Sequence, residues 1–145
     1  MFQNKLVAVM NKQIDLGVAM NALAHMSLGF GAYRGASDLH LIDYQNSEGF
    51  IYPNISKMPF IVFREKNSNK IGSFLMKAKE LGVQYTVFTN TMTEGTWEDQ
   101  KARTLATKGE EIIFYGIVLF GPKEIVTEMT KKLSLWRSHE SATSE

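Results

Sequence analysis

Residues 5–33 read KLVAVMNKQIDLGVAMNALAHMSLGFGAY: a short β-branched and apolar run, the polar break Asn11-Lys12-Gln13, then a long apolar helix pattern. Winding that helix at about 100° per residue places Leu16, Ala19, Met20, Leu23, Met26 and Phe30 on one stripe, with Asn21 and His25 almost opposite. The polar pair is spaced i,i+4, so the two side chains can meet. Val18, Ala22 and Gly29 around them are small or branched and leave the helix backbone approachable. Two polar residues on a helix otherwise apolar all round either line a cleft or merely solubilise the second face. The residues alone leave both readings open.

Strand and helix signals alternate along the rest of the chain. Strands are expected at residues 5–10, 59–65 (PFIVFRE), 83–89 (VQYTVFT) and 112–120 (IIFYGIVLF), the last apolar enough to lie centrally in a sheet. The first helix is expected over residues 15–33 with Asp15 as N-cap, the Gly29-Phe30-Gly31 run with Gly35 marking its end. Ser68 is expected to cap a second helix stopped by Gly82, and Thr96 a short one over residues 97–106. Gly121-Pro122 opens a last helix whose apolar face is Val126, Met129, Leu133 and Trp136. Asn46-Ser47-Glu48-Gly49 reads as the turn of a hairpin inserted between the first helix and the second strand. This order implies a three-layer α/β/α sandwich with a mixed, mostly parallel sheet in one domain over residues 1–137, and a polar tail over 138–145. In such sheets ligands gather beyond the carboxyl ends of the strands. That marks Asn11 and Lys12, then Thr89, Asn90 and Thr91, and the start of the first helix.

With 145 residues, 44% hydrophobic and 21% charged, the chain has the composition of one globular domain. A formal charge of +1 gives no general basic surface for nucleic acid, so any polyanion binding needs a local patch. The absence of cysteine removes disulfides, thiolate nucleophiles and zinc-thiolate sites. No apolar run reaches the roughly 20 residues of a membrane span, and no signal-peptide layout opens the chain, so a cytoplasmic location and no membrane partner are expected. His25, His40 and His139 lack a second ligand at metal spacing, so no metal is expected. No phosphate loop is present, and no cofactor is expected.

Three blocks, KLVAVMNKQIDLGVAMNALAHMSLGFGAY, KAKELGVQYTVFTNTM and GIVLFGPKEIVTEMTKKL, together resemble the type-2 peptidyl-tRNA hydrolases, and most closely an uncharacterised bacterial group placed beside them. The resemblance implies a four-stranded mixed sheet between helices, a dimer, and hydrolysis of the ester joining a peptide to tRNA. His25 falls at the family histidine and Gly17 at the family glycine. Val18 stands where the family has lysine, and Ala22 where it has glutamine, with Asn21 one step away. Asn90 replaces the family aspartate, and an amide cannot act as a carboxylate base. Thr91 and Met92 take the next two positions, and Thr93 lies near the family threonine.

Three functions follow as expectations. The favoured one is a binding cleft around His25 for a small molecule or an RNA end, with hydrolysis lost or altered. It is lined by Asn11, Lys12, Gly17, Asn21, Thr89, Thr91 and Thr93. The second is an active hydrolase of peptidyl-tRNA or another ester, using His25 and Asn90. The third is a homodimeric interaction protein, joined through Met129, Leu133 and Trp136.

Overall fold

The computed structural model describes residues 2–137; the expected tail, His139 included, lies outside the described residues. Strand β1 (Asn4–Asn11) leads into helix α1 (Leu16–Asp38), and the hairpin β2 (Leu41–Gln45) and β3 (Ile51–Ser56) follows. Then come β4 (Phe60–Glu65), α2 (Ser68–Leu81), β5 (Gln84–Thr89) and a 3₁₀ turn (Asn90–Met92). Helix α3 (Trp97–Ala106), β6 (Phe114–Pro122), α4 (Lys123–Thr130) and a two-residue β7 (Ser134–Leu135) complete the described order.

The main sheet has five strands in the order β5-β6-β1-β4-β7, and only β1 and β4 pair in parallel. β6 runs antiparallel to both its neighbours, and β7 antiparallel to β4. The expectation of a mostly parallel, four-stranded sheet is therefore corrected. A parallel neighbour needs a crossover that carries the chain back along the sheet. α3 makes no such return; it packs on the Asn90–Met92 turn, and the chain re-enters antiparallel. β5 and β1 still point the same way, because β6 opposes both.

Side-chain alternation along the strands divides the core between two faces. Leu6, Ala8, Met10, Val118 and Phe120 pack under α1, while Val7, Val9, Ile117 and Leu119 pack under α2 and α4. The buried line of α1 is Ala19, Ala22, Met26 and Phe30, rotated from the expected stripe, so Leu16 and Met20 stand 58% and 63% exposed. Small residues win this face because the helix sits close. A Cβ on Gly116 of β6 would come within 2.9 Å of Met26 Cε.

Four boundaries differ from the sequence reading. α1 passes through Gly29–Gly31 and reaches Asp38, its one non-helical residue being Gly35 at φ 86°. Apolar burial of Phe30 outweighs the helix-breaking tendency of the glycines. Asp15 precedes α1, but its side chain caps nothing. The cap of α2 is Asn67, whose Oδ1 accepts from the N–H groups of Asn69 and Lys70; Ser68 Oγ instead accepts from the Phe114 N–H at 2.8 Å. Leu133 and Trp136 are not on the last helix. α4 ends at Thr130, the chain returns as β7, and Trp136 packs against the core on the α1 side, its N–H donating to Val62 O at 2.8 Å.

The hairpin forms as the turn residues require. Asn46 Oδ1 accepts from the N–H groups of Glu48 and Phe50, and Gly49 takes the positive φ of 93°. Among the described residues no helix is long and apolar enough to cross a membrane.

Candidate functional site

α1 lies over the β5–β6 side of the sheet, and its second and third turns carry Asn21 and His25 to the β5 edge. There a cleft of about 400 Å³ opens between α1, β5, the 3₁₀ turn and α3. Asn21 and His25 form one wall, Thr86 and Phe88 the base, and Met92, Thr93 and Gln100 the opposite side. The His25 ring centroid lies 5.8 Å from that of Phe88, with the planes 31° apart, and Phe88 continues to Tyr115 at 6.5 Å. Both α1 side chains are exposed, and neither makes a hydrogen bond to another described residue. The lining holds no Asp, Glu, Lys or Arg.

The opposite side is rigid because its threonines are bonded from below. Thr89 and Thr91 are buried with their hydroxyl oxygens 2.7 Å apart, and Thr104 of α3 reaches Thr91 Oγ1 at 2.8 Å. Arg103 adds donated bonds to Thr91 O and Glu94 O. A capping box starts α3: Thr96 Oγ1 accepts from the Asp99 N–H, and Asp99 Oδ2 accepts from the Thr96 N–H. That backbone bond, then the Thr96 hydroxyl, holds the Asp99 carboxyl below the ordinary carboxylate range. Thr93 Oγ1 donates to Asn90 O at 2.9 Å, which fixes the cleft edge.

Of the residues expected at the site, the cleft gathers Asn21, His25 and Thr93. Asn90 does not line it. Its N–H donates to Ile113 O, and its Oδ1 accepts from the Ile113 N–H at 3.0 Å, which latches the loop to β6. Asn11 is 3% exposed, donates from Nδ2 to Phe114 O at 2.9 Å and accepts at Oδ1 from the Gln13 N–H. It closes the ends of β1 and β6. The Lys12 N–H donates to Glu65 O, and Gly17 sits exposed in the first turn of α1. Thr89 and Thr91 work beneath the loop. Sequence reasoning missed Thr86, Phe88, Met92 and Gln100. The period-2 pattern of β5 puts Thr86 and Phe88 on the α1 face, and Gln100 lies one turn after the Thr96 cap; those were the available signals.

A mixed sheet with helices on both faces and an uncharged polar cleft at one edge define an α/β domain with one histidine in that cleft. The chain belongs to the family described as "Protein of unknown function (DUF2000)", whose model matches residues 4–137. No curated protein matches it. Among solved structures, a protein of unknown function from Agrobacterium tumefaciens strain C58 is similar at a TM-score of 0.80 and 16% identity, covering 94% of this chain and 100% of the other. At that identity the likeness shows a shared fold.

Proposed function

We propose that the protein is a binding module whose His25 cleft takes a flat, uncharged, hydrogen-bonding ring of nucleobase type, as a free nucleoside or at an RNA end. The observation that carries this reading is the unbonded pair Asn21 and His25 facing Thr93 and Gln100 across an aromatic base. Amide side chains match the paired donor and acceptor edges of a base. His25, exposed and backed by the buried Phe88 ring, offers a ring for stacking, which discriminates little between bases. A lining free of charge suits a neutral ring better than a phosphate. Kinship to the type-2 peptidyl-tRNA hydrolases finds support in the helix-borne histidine at the cleft. Ester hydrolysis does not gain by it, since no carboxylate lines the cleft to serve as base.

The test is a nuclear magnetic resonance titration of the labelled protein with each nucleoside and with a short single-stranded RNA. Saturable shifts at Asn21, His25, Phe88, Thr93 and Gln100 are expected. A free nucleoside that shifts them as well as the RNA does assigns the small ligand. RNA alone acting assigns the RNA end. No saturable shift at these residues overturns the reading.

A further inference from the structure

On the sheet face away from the His25 cleft, α2 and α4 leave a groove of about 700 Å³ between them. Its direction follows from topology. β4 runs with β1 and β6 runs against it, so the helices that return from them, α2 and α4, are antiparallel. The start of α2 therefore lies beside the end of α4. Lys70 approaches Glu65 at 3.7 Å, and Ser134, just after Leu133, pairs with Arg64 of the same strand end. Lys70, Lys131 and Lys132 thus gather at one end of the groove. At the other end, Leu81 leads into β5, whose Gln84 pairs with Phe120, close to Ile125 at the start of α4. The floor between is Phe74, Met129 and Leu133.

The charges at the two ends differ. Lys131 is paired with Glu128 at 2.6 Å and Lys70 loosely with Glu65, while Lys77 and Lys132 have no ionic partner among the described residues. In the Leu81 half, Glu124 and Lys77, one helical turn before Leu81, offset each other's formal charge, whereas Lys70, Lys131 and Lys132 outnumber Glu128 at the other end. A groove with net positive charge at one end and apolar carbon along its length matches a molecule of the same polarity. We propose that it binds a single-tailed anionic amphiphile, the anionic head among Lys70, Lys131 and Lys132, the tail running over Phe74 and Met129 toward Leu81. Residues 70–81 span roughly 16 Å at 1.5 Å per residue, the reach of a medium-chain acyl tail. An acidic amphipathic helix would need cations along both rims, whereas Glu124 and Glu128 occupy the α4 rim.

The experiment is calorimetry on the whole protein with decanoate, decyl phosphate, octanoate and decan-1-ol, each below its aggregation limit, and amide shift mapping with decanoate. Decanoate is expected to bind saturably and to shift α2 and α4, leaving the His25 cleft unmoved. Octanoate should bind roughly tenfold more weakly, for two fewer buried methylenes. Decan-1-ol should bind at least tenfold more weakly, as should decanoate to the Lys131→Ala/Lys132→Ala variant, whose changes are on exposed residues. Decyl phosphate binding tighter than decanoate would mark a phosphorylated head, and the reverse a carboxylate. Decanol binding as tightly as decanoate, shifts mapping to the His25 cleft, or no saturable binding would each overturn the proposal. The last two separate its failure from that of the cleft reading.

Discussion

Replacing Asn11 tests whether this residue is a structural latch. It is 3% exposed and makes two bonds, to Phe114 O at 2.9 Å and from the Gln13 N–H at 2.8 Å. Asn11→Ala removes both. Gln13 is exposed, so water can take its N–H, and that loss costs about 1 kcal/mol. The Phe114 carbonyl is only partly accessible, and leaving it unpaired costs about 1–2 kcal/mol more. The sum is about 2–3 kcal/mol, measured as the change in urea unfolding free energy at unchanged slope. Asn11→Asp keeps the acceptor for Gln13 but sets a carboxylate against the Phe114 carbonyl. That contact raises the carboxyl pKa in the folded state, so the variant should lose stability at neutral pH and recover it as pH falls. A loss under about 0.5 kcal/mol for Asn11→Ala, the range of an ordinary surface change, would refute the latch.

Further expectations concern the loop, its helix and assembly. Thr91→Val should cost about 1–3 kcal/mol by stranding the buried Thr89 hydroxyl and cutting the link to Thr104, whose hydroxyl keeps only Gln100 O, and hydrogen exchange should show α3 less protected. Because the folded pKa of Asp99 is lowered, its contribution is complete above the unfolded value near 4 and is lost as pH falls through the folded one. Protection of the first turn of α3 should drop in that acid window in the wild type and not in Asp99→Ala. From Leu16 to Tyr33 α1 carries no charged residue, and Met20 and Leu28 are 63% and 74% exposed, so this face, rather than Trp136, is the expected contact of a homodimer. Light scattering should give twice 16.4 kDa, and Leu28→Glu the single mass; a wild-type monomer at micromolar concentration would refute this.

Most elements were legible because local signals agreed with their burial. The alternating and continuous apolar runs gave β1, β4, β5 and β6; Gly82, the Asn46 turn and the Thr96 capping box placed their boundaries. Pairing direction was not legible, since nothing in residues 90–111 states whether α3 crosses the sheet. The end of α1 was misread because Gly29 and Gly31 flank Phe30, and tertiary burial of that ring outweighs propensity. Trp136 looked helical by spacing, yet the two-residue β7 intervenes, too short for any periodic signal. Asn21 and His25 stood out as polar residues on an apolar helix, and both line the cleft. Asn11, Asn90 and Thr91 stood out by position at strand ends, and those ends also need polar side chains to pair their backbone. The same residue types serve both needs, so sequence could not separate them.

The most direct test is the affinity of the best-binding nucleoside for wild type and for His25→Ala, measured by calorimetry alongside thermal unfolding. His25 is exposed and touches Phe88 alone among the described rings, so the variant should unfold within about 2 °C of wild type. Loss of one stacking ring should weaken binding by roughly 5- to 150-fold, for about 1–3 kcal/mol. Equal affinity in the two proteins would contradict a binding site at His25.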